Sequence, residues 1–175
     1  PSYLKEFEKI IQIQDDGFYS LNMEYFEYTR KRKMWSRELE ELLGKPKVDG
    51  EFTERHKNIA ATIQKILEYI IEKQLQHLYR ITETENLCMA GGVALNSACN
   101  GGVVRNSKFE NIWIQPAAGD AGGAMGSALH RSQEKNYEMK DVYLGPSYTK
   151  QEIIQELEKQ DITYRSLPQK KLVEK

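Results

Sequence analysis

Leu87-Cys88-Met89-Ala90-Gly91-Gly92-Val93-Ala94-Leu95-Asn96 decides how this chain folds. An apolar run precedes a glycine pair, and small residues follow it. That order predicts a strand, a tight turn and the start of a helix. Glycine at such a turn permits positive φ and leaves no Cβ between the backbone amides and a ligand. The order recurs in Ile112-Trp113-Ile114-Gln115-Pro116-Ala117-Ala118-Gly119-Asp120-Ala121-Gly122-Gly123-Ala124-Met125-Gly126. Amides presented this way reach a phosphate, with the positive end of the helix dipole behind them. Two such turns suggest a nucleotide site, and Asp120 suggests a metal beside it. Strand and helix alternate here, which implies an α/β architecture with parallel strands.

Upstream, Thr53 is a plausible N-cap for a long amphipathic helix ending near Thr82. Ile59, Ile63, Ile66, Leu67, Ile70, Ile71, Leu78 and Ile81 fall along it at three- and four-residue steps. Ser36 caps a shorter helix carrying Leu39, Leu42 and Leu43, with Gly44 as its stop and a linker from Lys45 to Gly50. Leu4, Phe7, Ile10, Ile11 and Gln14 trace another helix face, ended by Asp15-Asp16-Gly17. Phe18-Tyr19-Ser20-Leu21 alternates as a strand would, and Tyr25 to Trp35 reads mostly as loop. Downstream, Tyr143-Leu144-Gly145-Pro146 reads as a turn. Thr149 and Glu152 form a capping box for a helix with Ile153, Ile154 and Leu157 on its face. Ile162-Thr163-Tyr164-Arg165 is strand-like.

The 175 residues suit one domain or a large piece of one. A hydrophobic content of 39% and a charged content of 29% describe a globular chain rather than a disordered one. The net charge of −1 argues against bulk binding to nucleic acid or anionic membranes. No apolar run is long enough to span a bilayer, and no signal-peptide pattern is present. Cys88 and Cys99 form no CxxC motif and read as buried thiols of a reducing cytoplasm. Pro1 at one end and the polar Lys170-Lys171-Leu172-Val173-Glu174-Lys175 at the other are expected to be cuts through a longer protein.

Local physics leaves alternatives open at each candidate residue. Gly91 and Gly92 serve either a ligand or simply a tight turn with close strand–helix packing. Asn96 serves either a base, ribose or carbonyl, or a structural hydrogen bond. Asp120 is either a helix N-cap or a carboxylate ligand for a divalent cation. Gly122, Gly123 and Gly126 each cost a helix interior roughly 1 kcal/mol against alanine, so a ligand or a second helix is expected to come close. His56, His77 and His130 form no HxxxH or HxH pair. They read as a solvated helix start, a partly exposed surface residue and a residue near a helix C-terminus. The run Arg30-Lys31-Arg32-Lys33 beside Tyr28 and Trp35 reads as solvated surface.

Taken together, these segments resemble the carbamoyltransferases of the nodulation-protein U and antibiotic O-carbamoyltransferase type. The resemblance rests on Arg55-His56-Lys57-Asn58-Ile59-Ala60-Ala61 with Gln64, on Leu87 to Asn96 with Asn100-Gly101, on Ile114 to Ala124, and on Leu144-Gly145-Pro146. It runs from about Thr53 to Leu157, with weaker similarity before it. It implies a partial actin-like ATPase lobe (ribonuclease H-like) that is helix-rich, with parallel strands each followed by a glycine turn and helix. Residues 1–50 are then a lead-in, residues 51–132 the nucleotide and metal core, and residues 133–175 a connector toward a YrdC-like domain absent from this chain.

The chemistry implied is an O-carbamoyltransferase. Carbamoyl phosphate and ATP give carbamoyl-adenylate, and the carbamoyl group passes to a hydroxyl of a small-molecule or glycan acceptor. By this resemblance Gly91, Gly92, Val93, Asn96 and Gly119 contact the nucleotide or adenylate. Asp120 is one ligand of a divalent metal, iron, and no catalytic residue is assigned. The family's metal-binding histidines lie in an HxxxH-like segment that this chain lacks, so the isolated piece is expected to be inactive. Gly102 stands where the family pattern has a basic residue after Asn-Gly. Expected partners are carbamoyl phosphate, the acceptor, the missing N-terminal segment and the YrdC-like domain. Nucleic acid and membrane are not expected, a homodimer is admissible, and the expected location is cytoplasmic. Competing readings are a tRNA threonylcarbamoyladenosine-type or sugar-kinase relative on the same fold, and a non-catalytic interaction module.

Overall fold

A computed structural model describes residues 2–29, 32–132, 139 and 145–167. They divide into two units, residues 1–136 and 137–175. The first is a mixed α/β unit rich in helix. Its elements are α1 (Leu4–Ile10), β1 (Ile11–Ile13), β2 (Tyr19–Leu21), α2 (Arg37–Leu43), α3 (Glu54–Thr82), β3 (Asn86–Met89), α4 (Ser97–Asn106), β4 (Asn111–Ile114) and α5 (Asp120–Arg131). Short 3-10 turns span Met23–Tyr25 and Gly92–Leu95.

The helix α3 organises this unit. Its start is fixed by Thr53 and His56, whose Nδ1 accepts from the Thr53 amide at 3.1 Å. The imidazole thus takes the place of the Glu or Gln of a capping box. Its end is set by Glu83, which turns into the left-handed region at φ 51°. Arg55 ties down the preceding segment by donating to the Leu43 carbonyl at 2.7 Å and the Lys45 carbonyl at 2.8 Å. Ser36 caps α2 by accepting from the Leu39 amide, and Gly44 ends it at φ 90°. The expected apolar stripe of α3 is only partly covered. Thr62 and Ile70 are buried, but Ile63 and Ile81 are half or more exposed.

The strands β3 and β4 pair in parallel, with Leu87 opposite Ile112 and Cys88 opposite Trp113. The intervening α4 makes this a strand–helix–strand unit, as the sequence predicts. Leu87, Cys99, Val103 and Phe109 form the buried cluster, with Ile71, Leu75, Leu78 and Tyr79 of α3 packed against it. Tyr79 meets Phe109 edge to face at 5.6 Å between ring centroids. Alternation along the strands sends Asn86, Cys88, Asn111 and Trp113 to the opposite, exposed face. Cys88 is therefore exposed, against the expectation of two buried thiols, while Cys99 is buried.

Two other expectations need correction. The first helix ends at Ile10, and Ile11–Ile13 pairs antiparallel with Tyr19–Leu21 across the Asp15-Asp16-Gly17 turn. The β-branched Ile-Gln-Ile alternation prevails there over helical spacing. The Gln74 side chain of α3 holds that turn by donating to the Gly17 carbonyl at 3.1 Å. In the second unit, α6 (Lys150–Lys159) carries the expected Thr149–Glu152 capping box. The Thr149 amide donates to the Glu152 carboxylate and holds its pKa below the usual range. Residues 162–167 form no strand. Instead Asp161 turns left-handed at φ 54°, and the Ile162 amide donates back to the Leu157 carbonyl at 2.9 Å, closing α6. Arg30, Lys31, Tyr143 and Leu144 lie outside the described residues.

Candidate functional site

The turn after β3 and the turn after β4 lie against each other. The Gly91 amide donates to the Ala118 carbonyl at 2.8 Å. The Gln115 amide donates to the Met89 carbonyl at 3.1 Å, carrying the strand pairing up to the turns. Ala94 and Ala118 are buried between them, and a Cβ on Gly119 would stand 3.8 Å from the Leu95 Cδ1. Gly91 has φ 104° and ψ 159°, a conformation reserved for glycine. Gly91, Gly92, Val93 and Asp120 are exposed at this junction.

The glycine turn does not run straight into a helix. Gly92–Leu95 forms a 3-10 turn, and α4 starts only after Asn96. The amides of Gly92 and Val93 have no acceptor among the described residues. On the other side Gly119 occupies the N-cap of α5, and Asp120 is its first residue rather than its cap. The amides of Gly122 and Gly123 both donate to the Gly119 carbonyl, whereas those of Asp120 and Ala121 have no acceptor among the described residues. The Asp120 carboxylate has no hydrogen bond or ion pair among the described residues.

The helix glycines separate into two kinds. A Cβ on Gly122 would collide with the Ala117 carbonyl oxygen, so this glycine admits the chain's own second turn. Gly123 and Gly126 have nothing within 4 Å of an added Cβ. No second helix packs on them among the described residues.

Asn96 makes structural hydrogen bonds with a partner that its position in sequence does not reveal. Its Oδ1 accepts from the Cys99 amide at 3.0 Å and from Gln64 Nε2 at 3.2 Å, and its Nδ2 donates to Gln64 Oε1 at 2.9 Å. Asn100 adds a bond from Nδ2 to the Ala94 carbonyl at 2.8 Å, holding the 3-10 turn from the α4 side. Gln64 is the residue that reading for chemistry passes over. Only its place in the family-like Arg55–Gln64 segment marks it.

His56 and His77 bond away from this junction, and His130 lies in the last turn of α5. His56 engages Thr53 and Arg55, and His77 faces Arg80. Among the described residues no group of three or more His, Cys, Asp or Glu side chains gathers to hold a metal. Asp120 offers a single carboxylate, so the described residues do not complete a metal centre by themselves. No helix among the described residues is long and apolar enough to cross a membrane. A groove of about 570 Å³ lies between α3 and α4, with Lys73, Arg80 and Lys108 among its lining and Cys99 at its wall. Burial pushes the Cys99 thiol pKa up, and the nearby Glu68 adds to the shift.

Comparison with known proteins accords with the resemblance. A protein of Synechocystis sp. described as uncharacterized is 41% identical over 157 residues, covering 83% of this chain and 26% of that protein. Nodulation protein NolNO of Sinorhizobium fredii is 36% identical over 145 residues, covering 80% of this chain and 20% of its own length. Nodulation protein NolO of Bradyrhizobium diazoefficiens is 41% identical over 100 residues, covering 54% of this chain and 18% of its own length. The chain thus spans about a quarter or less of these curated relatives. A family model described as carbamoyltransferase N-terminus matches residues 3–129, which take in α1 through most of α5, and the chain belongs to that family.

Proposed function

We propose that this chain is the nucleotide-binding part of an O-carbamoyltransferase with an actin-like ATPase fold. One observation carries the reading. The Gly91 to Ala118 hydrogen bond at 2.8 Å makes one junction of two glycine turns, each with exposed amides that have no acceptor among the described residues. Amides of that kind at a helix start suit phosphate oxygens. Gly91, Gly92 and Val93 line one side of the nucleotide site, and Gly119 lines the other. The lack of a Cβ at Gly92 lets a ligand approach the backbone closely.

In the reaction proposed, water cleaves carbamoyl phosphate to carbamate and phosphate. A carbamate oxygen attacks the α-phosphorus of ATP to give carbamoyl-adenylate and release pyrophosphate. The acceptor hydroxyl then attacks the carbamoyl carbon and releases AMP. The chain's own part is to bind and orient the ATP phosphates. Asp120 is proposed as one oxygen ligand of a divalent metal, iron, whose other ligands come from elsewhere in the longer protein. Its carboxylate is exposed and uncommitted, which suits that part. The acceptor-binding residues and the YrdC-like domain that handles carbamoyl phosphate are proposed to lie outside the chain.

The test is exchange of labelled pyrophosphate into ATP by the full-length protein. Exchange that depends on carbamoyl phosphate supports adenylate formation. No exchange with metal supplied would overturn the enzymatic reading and leave a module whose glycine turns serve packing alone.

A further inference from the structure

We propose that Gln64 and Asn96 are positioning residues that lock the first glycine turn to α3, and that Asn96 acts without touching the nucleotide. The proposal rests on the reading of the two turns as a nucleotide site. The two amides face each other across 32 residues of sequence in a closed, reciprocal pair. Each donates to the other, at 3.2 Å from Gln64 and 2.9 Å from Asn96. Gln64 is itself fixed on its own helix, since its Nε2 also donates to Glu68 Oε1 at 2.9 Å.

An asparagine amide has two protons to donate and two lone pairs that accept. Both lone pairs of Asn96 Oδ1 are engaged, by Gln64 and by the Cys99 amide, and one proton of Nδ2 is engaged by Gln64. The side chain has little left for a ligand. What it does have is leverage on the turn. Asn96 ends the 3-10 turn by donating its backbone N–H to the Val93 carbonyl at 3.0 Å and starts α4 by capping it. The turn is then held at Gly91 by Ala118, at Ala94 by Asn100 and at Asn96 by Gln64. Gly92 and Val93 lie between these anchors with their amides unengaged among the described residues. A frame fixed on both sides presents those amides in one geometry, which lowers the ordering cost of binding.

The test uses the full-length protein, a non-hydrolysable ATP analogue and three variants. Gln64→Met removes the amide and keeps a helix former. Asn96→Ser keeps a capping oxygen but is too short to reach Gln64. The third combines both. Each is expected to weaken analogue binding by the same amount, between about twofold and tenfold, because the pair acts as one unit. Amide exchange across residues 92–96 rises in all three, with the melting temperature little changed. For Gln64→Met, the carbamoyl phosphate-dependent exchange rate returns to wild type at saturating ATP, as a positioning part in binding requires. Gln64→Met binding like wild type while Asn96→Ser loses affinity would overturn the proposal and make Asn96 a direct contact. A double variant losing the sum of the two single effects would overturn it also. Should the wild type bind no analogue, the nucleotide reading fails. Amide exchange in Gln64→Met then decides the couple alone: faster exchange at residues 92–96 upholds the lock and unchanged exchange sinks it.

Discussion

The amide of Gly91 donates to the carbonyl of Ala118 at 2.8 Å, and this bond makes one junction of two turns that lie on either side of α4. Gly91 makes this bond at φ 104°, a backbone conformation that carries the chain after it into the 3-10 turn. The exposed amides on both sides of the bond are therefore held in fixed relation.

Gly91→Ala puts a Cβ into a backbone region that only glycine occupies comfortably. It is expected to lower stability by about 1–3 kcal/mol. Denaturant unfolding measures this, and an unchanged midpoint would show that the turn relaxes to another conformation at no cost. Gly92→Ala tests the neighbouring position differently. An added Cβ there meets nothing within 4 Å, so folding stays intact while nucleotide affinity falls. Retained affinity would remove Gly92 from the site.

The glycines of α5 are expected to split by sign. Gly122→Ala drives a Cβ into the Ala117 carbonyl and destabilises by about 1–3 kcal/mol. Gly123→Ala and Gly126→Ala meet no neighbour among the described residues and stabilise the helix by up to about 1 kcal/mol each. Thermal melts of the three variants distinguish the cases. A loss at Gly123 or Gly126 would mean that another part of the longer protein packs there.

Asp120→Asn keeps the shape of the side chain and removes its charge. The carboxylate has no partner among the described residues, so the stability change is limited to its favourable place at a helix start, about 0.3–1 kcal/mol. Metal content of the full-length protein is expected to fall. Undiminished metal content would take Asp120 out of the ligand set.

The two thiols differ in environment and in reactivity. Cys88 is exposed on the open face of the β3–β4 pair, whereas Cys99 is buried and its pKa is raised by that burial. A maleimide reagent at neutral pH is expected to label Cys88 first and Cys99 only slowly. As pH rises through the ordinary thiol range, Cys99 stays protonated longer than a free cysteine. The folded state loses stability as pH rises from the ordinary thiol pKa, where the unfolded chain's thiol ionises first, up to the raised pKa of the folded state. Peptide mapping after timed labelling measures the order, and equal rates would mean that α4 opens readily.

Much of the fold is legible in the sequence because caps are local signals. Ser36, Thr53 and Thr149 each lie within three residues of the groups they satisfy, and each helix starts where expected. The glycine turns are legible for the same reason. Signals that depend on distant partners are not. Ile11 continues the helical spacing of Leu4, Phe7 and Ile10, and only pairing with Leu21 makes it a strand residue. Ile162 to Arg165 has strand composition but finds no partner strand among the described residues, and the helix closure at Asp161 prevails. The structural part of Asn96 lies with Gln64, 32 residues away in sequence. The exposure of Cys88 follows from which face of the strand pair α3 and α4 cover, and that choice is made by packing.

The most direct test of the nucleotide junction is hydrogen–deuterium exchange of the full-length protein with and without a non-hydrolysable ATP analogue. Peptides spanning residues 90–97 and 117–122 are expected to gain protection together, and Gly92→Ala is expected to reduce the gain in both. Protection confined to other segments, or to one turn without the other, would contradict a single site built by Gly91 and Ala118.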